Sequence, residues 1–62
     1  MHEEKARTLL GEFVQPDDSL YNLGRYARWH PHWTKITLDD EFTVEELEAF
    51  VWWMKNKKKY QA

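Results

Sequence analysis

Cysteine is absent from this chain, and proline and glycine occur only twice each. The lack of thiols excludes a disulfide staple and every thiolate metal site, and it suits a reducing compartment. So little proline and glycine leaves no flexible or Pro-rich linker, and no repeat or low-complexity stretch takes its place. No apolar run approaches the roughly 20 residues that span a bilayer. The opening Met1-His2-Glu3-Glu4-Lys5 carries acids where a secretory leader needs a basic stretch. These absences together predict a cytoplasmic protein that does not engage a membrane. Also missing are a phosphate-cradling Gly loop, a nucleophile elbow and an HExxH helix. The carboxylates cluster on an expected solvated turn and helix start, so no catalytic residue is assigned and no enzyme is expected.

What remains is rich in aromatic residues. The 62 residues include four Trp, three Tyr and three Phe, with 42% hydrophobic and 32% charged side chains. A chain of this length holds one domain, spanning residues 1–62, and buries only about 60% of the surface it exposes when unfolded. Each large aromatic side chain brings about 150–250 Å² of surface. Some of that surface is therefore expected to remain outside and meet another molecule. A net charge of -2 argues against a generic polyanion binder. The charges are segregated: Asp39, Asp40, Glu41, Glu45, Glu46 and Glu48 form an acidic block, and Lys55, Lys57, Lys58 and Lys59 a basic one.

Ala6, Leu9, Leu10, Phe13 and Val14 fall at the spacing of one helix face and predict a helix over residues 3–15. Gly11 weakens that helix, and residues 9–14 also read as a strand. Between Pro16 and Pro31, the candidate caps Asp17, Asp18 and Ser19 introduce a second predicted helix with Leu20, Leu23, Tyr26, Ala27 and His30 on one face. Thr34 to Leu38 is β-branched and reads as a short strand. Thr43 with Glu46 three residues on forms a capping box, which starts a final helix running to about Lys58. On a wheel of about 100° per residue, Val44, Leu47, Phe50, Val51 and Met54 form its expected core face, with Trp53 at the border. The fold expected is thus mainly α with one short β element: two N-terminal helices, a strand and a capped C-terminal helix. The alternative is a small α+β fold with a two-stranded sheet. A lone strand leaves unpaired edges, which pairing across the two-fold axis of a homodimer would satisfy.

Three features bear on function. Trp52 sits among Glu45, Glu48, Asn56 and Lys59 on the predicted wheel, so it is either covered by the N-terminal segment or anchors a partner. Trp29-His30-Pro31-His32-Trp33 places two histidines around a proline. The spacing would admit Zn or Cu with His2, but without further ligands it reads as a rigid corner whose two Trp pack inward. No metal and no cofactor is assigned. Tyr21, Arg25 and Arg28 share one face of the predicted second helix and, with Lys55 and Lys59, suit a nucleic-acid backbone. The acidic block opposes that contact unless it faces away. Residues 38–47 share the outline of a calcium-binding loop, yet Lys35 falls at the first ligand position and Asp40 at the obligatory glycine, which excludes it.

Residues 36–50, Ile-Thr-Leu-Asp-Asp-Glu-Phe-Thr-Val-Glu-Glu-Leu-Glu-Ala-Phe, resemble a strand-turn-helix pattern of small proteins encoded by tailed bacteriophages. The resemblance implies a bacterial-host cytoplasm and a role as effector or inhibitor of a host protein. The preferred reading is a non-catalytic protein-interaction module using Trp52, Trp29, Trp33, Glu45 and Glu48. A small nucleic-acid-binding accessory protein using Tyr21, Arg25, Arg28, Lys55 and Lys59 is the alternative.

Overall fold

The computed structural model describes residues 1–59. Its elements are α1 (Glu3–Leu10), β1 (Leu20–Asn22), β2 (Tyr26–Trp29), β3 (Thr37–Asp39) and α2 (Val44–Lys57). The strands form an antiparallel meander in the order β1-β2-β3. This is an α+β fold, which corrects the expectation of a mainly α chain with one strand and exceeds the alternative by one strand.

The second predicted helix does not form. Residues 20–29 make a hairpin instead, because period-two burial suits them better than period 3.6. Leu20, Ala27 and Trp29 point inward and are buried, while Tyr21 pairs with Arg28 on the outer face. Leu23, placed on the helical core stripe by its spacing, lies 72% exposed in the turn. That turn is built by Asn22, whose Oδ1 accepts the Arg25 backbone N–H at 2.9 Å and whose Nδ2 donates to the Glu12 carbonyl at 3.1 Å. Register then places Arg28 opposite Thr37, so β3 completes the sheet from the same chain. The lone strand that called for a two-fold partner is therefore paired internally.

The first helix is shorter than its apolar spacing predicts. It ends at Leu10, whose carbonyl accepts from both Phe13 and Val14 at 2.8 and 3.1 Å. The chain then turns so that the Phe13 ring enters the core and Val14 makes a single bridge to Leu20. Residues 9–14 thus supply a helix end and one bridge, neither the full helix nor a strand.

The capping box forms as its sequence predicts: Thr43 Oγ1 accepts the Glu46 backbone N–H at 3.0 Å, and Glu46 Oε1 accepts that of Thr43 at 2.8 Å. The helix that follows is rotated from expectation. Its buried residues are Ala49, Phe50 and Trp53, whereas Val44 and Val51 are 73% and 51% exposed. The true core face lies roughly 100° round the helix from the predicted one, about one residue step. Phe50 is shared by both. Phe13, Phe42 and Phe50 pack as an aromatic triad with centroids 5.3–5.9 Å apart, in the tilted and edge-on geometries that aromatic pairs favour.

Candidate functional site

Two surfaces collect the residues singled out by sequence, and one half-buried hub takes a residue out of the set assigned to nucleic acid. The hub is Arg25. The hairpin turn delivers its guanidinium to Glu46, with Nη2 to Oε1 at 2.6 Å and Nη1 to Oε2 at 2.8 Å, a fork-to-fork pair. It also donates to Glu12 Oε1 and to the Glu41 carbonyl, each at 3.1 Å, and lies 4.8 Å from the Phe42 ring centroid. This pairing, with the capping N–H of Thr43, holds the Glu46 carboxyl down to about 2 from its ordinary 4.5, and the same partner raises the Arg25 guanidinium. Arg25 is a clamp between hairpin and helix, and its donors are engaged within the fold.

The first surface surrounds the histidine corner. Trp29 is 1% exposed and donates its indole N–H to the Trp33 carbonyl at 3.2 Å, so it belongs to the core. Trp33 is 39% exposed, with the Arg28 guanidinium 5.0 Å above its ring. Tyr21 stands beside Arg28 on the outer sheet face. The His30 and His32 rings stack at 5.1 Å, and His30 Nε2 lies 3.7 Å from Asp17. Among the described residues, no three His, Cys, Asp or Glu side chains gather closely enough to hold a metal ion. Of the five residues assigned to nucleic acid, the structure brings together Tyr21 and Arg28. Arg25 is committed elsewhere, Lys55 lies on the other surface, and Lys59 donates its backbone N–H to Pro31 at 2.8 Å.

The second surface is the side of α2 opposite the core. Val44, Leu47, Glu48, Val51, Trp52 and Lys55 line an open groove of about 490 Å³, closed at one edge by Met1. Leu47 is 41% exposed and Trp52 half-buried, its ring tilted against Trp53 at 6.2 Å. Both readings of Trp52 meet here, since the N-terminal residue lies alongside it without sealing it. Glu48 flanks the groove, and Glu45 pairs with Lys5 of α1 at 3.3 Å. Val44, Leu47, Val51 and Met1 were missed as surface residues. The available clue was that apolar residues run almost all the way round α2 while a single small sheet offers only one face to bury them.

Lys57 is not part of this surface; it reaches Glu3 of α1 at 3.0 Å and lies 5.3 Å from the Trp53 ring centroid. Among the described residues, no helix is long and apolar enough to cross a membrane. No protein-family model, curated protein or solved structure matches the chain. Nothing there links it to tailed bacteriophage proteins, and no role is carried over from a relative.

Proposed function

We propose that this domain is a non-catalytic protein-interaction module whose contact surface is the outer face of α2. One observation carries the reading: Val44, Leu47 and Val51, exposed by 73%, 41% and 51%, line up with Trp52 on a helix whose opposite side already supplies the core. Water-exposed aliphatic groups aligned in this way gain free energy by association at about 25 cal/mol per Å² buried. Among the described residues no buried side-chain polar atom lacks a hydrogen-bond partner, and Arg25, Glu46 and Asn22 are held in contacts within the fold.

A photo-crosslinking side chain placed at position 51 and expressed in bacterial cells tests the reading. Adducts are expected from position 51 and not from position 23, which is more open to solvent but lies in the hairpin turn. Equal adduct yields at the two positions overturn it. The nucleic-acid alternative retains Tyr21 and Arg28 but has lost the Arg25 guanidinium to Glu46.

A further inference from the structure

We infer that the outer face of α2 docks on a second copy of itself, the two helices antiparallel across a two-fold axis; this rests on the reading of that face as the contact surface. The spacing and the charges point the same way. Val44, Leu47 and Val51 recur at intervals of three and four residues on the exposed side, and the half-buried Met54, which also packs on the core, continues the series as the seam of a two-helix pair. In an antiparallel pair the first and fourth heptad positions meet each other. Val44 then lies against Met54 of the second copy, and Leu47 against its Val51. Each layer is made twice by symmetry, which is how one small patch completes a closed dimer.

The flanking charges select the direction. On the outer face the acid, Glu48, lies in the first half of the helix and the base, Lys55, in the second. Side chains on a helix lean toward its N-terminus, so in the antiparallel arrangement Glu48 and the second copy's Lys55 lean toward each other. A parallel pair puts the two copies of these charges on opposite sides of the seam, where they cannot pair, and aligns the two helix dipoles unfavourably.

The area suits a weak dimer. A specific interface at the low end buries about 600 Å² per partner, roughly a seventh of the 4338 Å² this chain exposes. The 14 residues of α2 make a seam about 21 Å long, with Met1 and Trp52 widening it. A dissociation constant on the order of 10 µM is expected.

Sedimentation of the full chain from about 5 to about 500 µM is the test, with the dimer growing through that range. Leu47→Asp weakens it at least about 100-fold while the dilute chain keeps its thermal melt, because a partly exposed site tolerates the charge. Glu48→Lys and Lys55→Glu each weaken it about 10-fold, and the double variant restores it. Restoration in one chain is the signature of an antiparallel self-pair, since reversing both charges would leave a different protein partner mismatched. A monomer throughout the range overturns the inference, as does a dimer indifferent to Leu47→Asp. Failure here with a heavier adduct still formed at position 51 leaves the contact surface standing and assigns it to a foreign protein. Absence of any adduct removes both.

Discussion

The two sides of α2 are made from similar residues and do opposite things. On the inner side Ala49 is fully buried, and Glu46, Phe50 and Trp53 have fixed partners: a guanidinium, two phenylalanine rings and a backbone carbonyl. That last contact joins distant parts of the chain, since the Trp53 indole N–H donates to the Asp18 carbonyl at 2.8 Å across 35 residues. Asp18 offers the carbonyl from a left-handed backbone conformation at φ 69°, which Asp tolerates better than most residues. The outer side carries valines and a leucine of comparable apolarity with solvent in front of them, beside a tryptophan that is half-buried against the core. Hydrophobicity alone therefore does not decide which side becomes core. The inner side wins because it also brings a carboxylate to Arg25 and an indole N–H to the Asp18 carbonyl.

The contrast is tested most severely by Trp53→Ala. Losing a fully buried indole costs about 3–5 kcal/mol, most of the stability of a domain this small. A cooperative thermal melt should disappear, or fall by about 15 °C or more. Next in size is Glu46→Ala, which removes the Arg25 pair and half of the capping box together; urea denaturation should register a loss of about 2–3 kcal/mol. The same carboxylate sets an acid limit. Its folded value of about 2 lies below its ordinary 4.5, so its stabilisation is complete above about pH 4.5 and is lost as the pH falls toward 2. Glu3 and Asp17, also lowered by their hydrogen-bonding partners, act in the same direction. Melting temperatures between pH 6 and 2 should fall steeply in the wild type, and less steeply from a lower start in Glu46→Gln.

Smaller effects belong to the exposed positions. Trp33→Ala should cost under about 1 kcal/mol, because the ring is partly solvated and its contact with Arg28 is a surface one. Val51→Asp should change the stability of the dilute chain by no more than about 0.5 kcal/mol. An equally large loss from Val51→Asp and Trp53→Ala would erase the distinction between the two sides.

What could be read from sequence follows the range of the interactions involved. The capping box was legible because Thr43 and Glu46 are three residues apart and satisfy each other. The hairpin was not, since Leu20, Leu23, Tyr26, Ala27 and His30 happen to match a helical stripe, and only the pairing of β2 with β3 favours strands. Arg25 was read as a surface cation because its partners Glu12 and Glu46 lie 13 and 21 residues away. The face of α2 failed for a related reason: its aliphatic residues point to one arc, and the docking of α1 and the sheet selects another. Among the tryptophans, the inward packing read for the corner holds for Trp29 and only partly for Trp33.

The pinning of Trp53 to Asp18 has a spectroscopic consequence. Its indole proton can leave for deuterium only when α2 lifts from the turn at residues 16–19, so its exchange lifetime clocks that opening. The Trp29 indole proton, held by a carbonyl only four residues away, clocks the local loosening of the histidine corner. Two resonances in one spectrum thus time two separate motions without any added label.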